Sequence, residues 1–195
     1  MSPLRSFPPV EFEKFFFALD RELRKRVTVT VIGGAAIGLG YDPRHSTTDI
    51  DLVPVGDPEF WKAVERARAA HPIPVQTVPF FTPPYDYESR CTRLGLKGLK
   101  RLTILVPEVH DLAIMKAARA LAHDLDAIEH IHRQHPLDLE TLVARYYEAR
   151  TQVTGSQADF TIGFLALIER LFGAEAAREA QDRLEKGGPP RSGGV

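Results

Sequence analysis

Two aspartates one residue apart, Asp49 and Asp51 in the run "DIDLVPV", open an otherwise apolar stretch. In an extended strand both side chains leave the same face, about 6 to 7 Å apart along it. An ionised carboxylate in a dry interior costs several kcal/mol unless it is paired or metal-bound. These aspartates therefore sit at a solvated strand end or hold a cation. A pair presented in this way can bridge one or two Mg²⁺ ions, as phosphoryl or nucleotidyl transfer requires.

Upstream, Gly33 and Gly34 follow the β-branched run "VTVTVI" and lead into "AAIGLG". A glycine pair lets backbone approach a ligand closely, and a following helix start offers free N–H groups to a triphosphate. No Gly-Lys-Ser/Thr follows, so the turn is not a P-loop. Glycines at 33, 34 and 38 do not match the dinucleotide fingerprint either.

The elements that must position these residues are legible along the chain. Phe12, Phe15, Phe16, Leu19 and Leu23 recur at helical spacing, which predicts an opening helix over 9–24. Strands are expected at 27–32 and 49–55, with a short helix between them. Asp57 and Pro58 predict the cap and first turn of a helix over 58–70. Prolines in "IPVQTVPFF" (73–81) mark an edge strand, and "RCTRLGL" and "RLTILV" read as two more. Helices follow at 108–122, 124–134, 138–150 and 157–186, the last as one broken helix or two.

The order implies an α/β (α+β) fold: a small mixed sheet with flanking helices, plus a helical C-terminal region. The expected division is a core over 1–135, a helical region over 136–187 and a disordered tail over 188–195. A net charge of -1 gives no global basic field of the kind that attracts nucleic acid. Basic residues at 90–101 could still steer RNA locally. A single cysteine, Cys91, excludes an internal disulfide and fits a reducing compartment. With no signal peptide and no 18-residue apolar run, a cytoplasmic protein with no membrane partner is expected.

The joint pattern of apolar strand, Gly-Gly, short helix, polar segment and Asp-h-Asp-h closely resembles the nucleotidyltransferase signature of the DNA polymerase β superfamily. The segment "PRHSTTDID" is similar to the AbiEii/MenT-like toxin-type branch, which reads Arg-x-Thr/Ser-x-Asp-x-Asp. Thr47 takes the hydroxyl position; His45 stands where the arginine is expected, and Arg44, one residue early, is read as its substitute. Downstream, "LTILVPEVHDLAIMKAARALAHDLDAI" resembles that branch's strand, lysine-bearing helix and acidic segment, with Lys116 as the lysine and Asp124 or Asp126 as the acid.

The resemblance implies a nucleotidyltransferase using NTP and Mg²⁺, with tRNA or a protein as acceptor and an antitoxin as partner. Asp49 and Asp51 would hold the metal. Gly33, Gly34, Arg44, Thr47 and Lys116 would bind nucleotide, and Asp124 or Asp126 would position the acceptor, take its proton or complete the metal shell. On the residues alone, Lys116 also reads as a snorkelling surface lysine and the two later aspartates as a helix cap or solvated face. The superfamily's third carboxylate has no place in the later strands, and Asp86 and Glu88 are its candidates. His123, His130, His132 and His135 lack the HExxH arrangement of a zinc site and read as a solvated or partner-facing helix. The competing expectation is a catalytically silent module of the same fold that binds a nucleotide or a partner.

Overall fold

A computed structural model describes residues 5–119 and 121–187, so the tail expected over 188–195 lies outside the described residues. Two compact units are present. The first takes the described residues up to Pro79 together with Arg90–Pro107; the second takes Phe80–Ser89 and the described residues from Glu108 onward.

The first unit is built on a five-stranded mixed sheet: β1 (Val27–Ile32), β2 (Ile50–Leu52), β3 (Val75–Thr77), β4 (Thr92–Arg93) and β5 (Leu102–Val106), in the order β3-β2-β1-β5-β4. β1 runs parallel to β5 and antiparallel to β2, while β2 and β3 run parallel. Alternation decides which face is core: Val29 and Val31 of β1 and Leu102, Ile104 and Val106 of β5 are buried. β2 and β3 are shorter than their apolar runs because Pro54, Pro74 and Pro79 carry no N–H for a ladder. β3 lies at the sheet edge, as its prolines predict.

Three helices complete this unit. α1 (Pro9–Glu22) buries Phe12, Phe15, Phe16 and Leu19 along one stripe, and it packs against α3 (Pro58–Ala70). α3 starts where the sequence places it, with the Asp57 carboxylate accepting from the Glu59 N–H at 3.1 Å. Between them, α2 (Gly33–Gly40) begins directly at the end of β1.

The single turn α4 (Tyr87–Arg90) precedes β4. In the second unit, α5 (Val109–Ala117) is buried from Asp111 to Ala117 and touches α6 (Ala122–Gln134), α7 (Leu139–Ala149) and α8 (Gln157–Phe172). The buried Asp111 carboxylate faces Arg145 Nε at 3.2 Å. Tyr146 of α7 stacks on Phe160 and Phe164 of α8, with ring centroids 4.9 and 4.4 Å away. The 157–186 stretch resolves as two helices, because Gly173 at φ +92° breaks α8 from α9 (Ala174–Glu185). Among the described residues, no helix is long and apolar enough to cross a membrane.

Candidate active site

At the junction of β1 and α2 the chain turns through Gly33 at φ +67°, a left-handed conformation that side chains other than glycine adopt only under strain. Antiparallel pairing sets Asp51 of β2 opposite Ile32, the last residue of β1. The approach is so close that a Cβ on Gly33 would lie 2.6 Å from Asp51 Oδ2. A Cβ on Gly34 would lie 2.6 Å from Thr47 Oγ1 and 2.8 Å from Thr47 Cβ. Gly33 is thus required both by conformation and by the approach of Asp51, and Gly34 by the approach of Thr47.

Asp51 lies within β2, flanked by the buried Ile50 and Leu52, and Asp49 immediately precedes the strand. Both carboxylates reach Gln76 of β3, whose Cα pairs in register with that of Asp51. Gln76 Nε2 donates to Asp49 Oδ2 at 3.1 Å and to Asp51 Oδ1 at 2.8 Å. Thr47 Oγ1 reaches Asp49 Oδ1 at 3.5 Å, the limit of a hydrogen bond. One oxygen from each carboxylate therefore converges on a single point, now satisfied by an N–H donor. Two hard carboxylate oxygens around a shared point suit a Mg²⁺ ion, and the residues present fit that ion.

Gln76 is the member of this cluster that the sequence pattern does not single out. Its signal is faint: one polar side chain flanked by Val75 and Thr77 in a short apolar run. It stands beside the aspartate pair on the neighbouring strand, where a third carboxylate would extend the cluster. Among the described residues no group of three His, Cys, Asp or Glu side chains is placed to hold a metal. Asp86 lies in the second unit in a local turn at φ +55°, its carboxylate taking the Ser89 hydroxyl at 2.8 Å, and Glu88 is exposed.

The start of α2 lies at the same junction. Its N-cap, Ile32, supplies no side-chain acceptor, and its first turn holds no acidic residue. The N–H groups that every helix start leaves without intrahelical partners have no side-chain cap here. Arg44 follows α2 in the turn that leads back to β2. Its backbone N–H and Nε contact the buried Asp42 carboxylate at 3.1 and 3.4 Å, and the Arg44 side chain itself is exposed.

Lys116 and Asp124 belong to the second unit and meet each other. Lys116 Nζ donates to Asp124 Oδ1 at 2.5 Å, with both side chains buried. Arg119 Nε lies 3.3 Å from Asp124 Oδ2 but off hydrogen-bond geometry, which leaves that buried oxygen without a hydrogen-bond partner. Asp126 is not brought to Lys116: it is exposed on α6 and pairs with Arg170 Nη2 at 2.5 Å. His132, on the same helix, accepts from the Leu137 N–H at 3.0 Å and packs edge-on against Phe172.

No curated protein and no solved structure matches the chain. A family model does match, over residues 14–169, a span that takes in the glycine pair, both aspartates, Gln76 and Lys116. The chain therefore belongs to the family described as nucleotidyltransferase of unknown function (DUF6036).

Proposed function

We propose that the protein transfers a nucleotide from an NTP to an acceptor, with Mg²⁺ held by Asp49 and Asp51. The observation that carries this reading is the convergence of Asp49 Oδ2 and Asp51 Oδ1 on one point beside the glycine turn that opens α2. The bound ion would supply charge compensation for the triphosphate. Gly33 and Gly34 keep Cβ atoms out of the junction, and the uncapped N–H groups of α2 offer donors to phosphate oxygens. Thr47 and Arg44 take nucleotide-binding roles by resemblance.

In the proposed reaction the acceptor's hydroxyl oxygen bonds to the α-phosphorus. The bond from that phosphorus to the β-phosphate oxygen breaks, pyrophosphate leaves, and the hydroxyl proton is lost to a base. Rate enhancement then comes chiefly from positioning and charge neutralisation. For Lys116 we propose compensation of phosphate charge, and for Asp124 or Asp126 acceptor positioning or proton removal. These roles rest on the resemblance, as do a tRNA or protein acceptor, an antitoxin partner and membership of the AbiEii/MenT-like branch. Of the two acids, the ion pair with Lys116 favours Asp124.

One observation favours a second reading. The metal-binding point has two carboxylates and an amide, which suits a module that binds nucleotide or partner without turnover. Incubation with each α-³²P-labelled NTP, Mg²⁺ and either total tRNA or cell protein separates the two. Transfer of label to an acceptor, absent with EDTA and in Asp49→Asn/Asp51→Asn, is the expected result. Mg²⁺-dependent NTP binding with no transfer to any acceptor would select the silent module.

A further inference from the structure

Resting on the reading that Asp49 and Asp51 hold a divalent ion, we infer that Gln76 is the site's third, neutral ligand and limits the nucleotide-free protein to one ion. Its amide borders the space between the two carboxylates, donating at 3.1 Å to Asp49 Oδ2 and at 2.8 Å to Asp51 Oδ1. The amide is placed by the sheet: β2 and β3 are parallel, and Gln76 is the register partner of Asp51. Its position is therefore fixed by backbone pairing, while its terminal torsion is free to turn.

That freedom matters chemically. A carboxamide carries a donor at one end and an acceptor at the other, and a half-turn about its last side-chain bond exchanges them. Without a metal, the N–H end bridges two like charges and relieves their repulsion. With a metal between the carboxylates an N–H would face a cation, so the amide turns and presents Oε1. Carbonyl oxygens of this kind are ordinary ligands for hard cations.

The charge count follows from the residue type. Two carboxylates and an amide carry a charge of about -2, which one divalent ion balances. A carboxylate in place of the amide would leave an excess negative charge to draw a second ion. In this chain a second ion would depend on the triphosphate for its ligands. Gln76 is thus a neutral ligand that couples metal number to nucleotide occupancy.

The test uses Mn²⁺ alone as the probe, titrated into nucleotide-free protein by calorimetry, with the paramagnetic signal of free Mn²⁺ as a second readout. Gln76 is exposed on an edge strand, so substitution leaves the core intact. Wild type is expected to bind one Mn²⁺. Gln76→Met should weaken that binding roughly tenfold or more. Gln76→Glu should tighten it roughly tenfold and admit a second ion. If Gln76→Met binds Mn²⁺ as tightly as wild type or more tightly, the amide only plugs the site and the inference is overturned, while the metal-dependent reading stands. If wild type binds no Mn²⁺, both fall together.

Discussion

Gly33 and Asp51 are in contact through the absence of a side chain: a Cβ on Gly33 would meet Asp51 Oδ2 at 2.6 Å, at a backbone φ of +67°. Gly33→Ala therefore carries two penalties, a strained left-handed alanine of about 1 kcal/mol or more and displacement of the Asp51 carboxylate proposed to hold the metal. The expected outcome is a lowered midpoint in urea together with loss of Mg²⁺-dependent NTP binding. Full retention of binding would mean that the Asp51 carboxylate is free to move.

Gly34→Ala acts through a different side chain. The added methyl would lie 2.8 Å from Thr47 Cβ, so rotation of the hydroxyl alone cannot relieve it. Thr47 must shift, and with it the contact to Asp49. Thr47→Gly in the same chain should restore part of the lost stability, read by urea denaturation of the single and double variants.

Asp20 ties the end of α1 to the start of β5. Its buried carboxylate accepts from the backbone N–H groups of Lys100, Arg101 and Leu102 at 2.7 to 3.1 Å. Burial alone would raise its pKa, but the N–H bonds from Arg101, Leu102 and Lys100 outweigh burial and hold the carboxyl below its ordinary value. The folded chain then binds fewer protons here than the unfolded chain. The stabilisation is complete above the ordinary aspartate range and is lost as pH falls through the depressed folded-state value. Asp20→Ala should cost on the order of 3 kcal/mol at neutral pH by urea denaturation, and the difference from wild type should shrink in acid. An unchanged difference from pH 7 down to pH 3 would contradict the assignment.

The buried pair in the second unit separates structural from chemical roles. Lys116→Met leaves the Asp124 carboxylate buried with its closest partner gone, which costs about 3 to 5 kcal/mol. Lys116→Met/Asp124→Leu should recover most of that loss, because both charges are removed together. If Lys116 also serves the reaction, the double variant is stable and inactive in the nucleotide-transfer assay. A stable double variant with full transfer activity would reduce the pair to a packing element.

The sequence exposes what is local. Asp57-Pro58 marks the first turn of α3, phenylalanine spacing marks the buried stripe of α1, and the glycine and aspartate pairs mark the two strand ends of the candidate site. What stays hidden depends on strand order. Gln76 is 25 residues from Asp51 and becomes its neighbour only because β3 adds in parallel to β2. Asp20 lies 80 residues before Lys100, and nothing in "FALDREL" announces a carboxylate that turns inward. That Asp124 meets Lys116 while Asp126 pairs with Arg170 depends on the phase of α6, which the spacing alone does not give.

The most direct measurement is thermal unfolding with each of the four NTPs, with and without Mg²⁺, on wild type and Asp49→Asn/Asp51→Asn. At an NTP concentration of about 100 Kd, binding adds about 2.7 kcal/mol, a rise of roughly 5 to 10 °C for a chain of this size. That rise is expected in wild type only with Mg²⁺ present, and it should be lost in the double variant. An NTP-induced rise of equal size in both proteins, or no rise in wild type with any NTP and Mg²⁺, would contradict the proposed function.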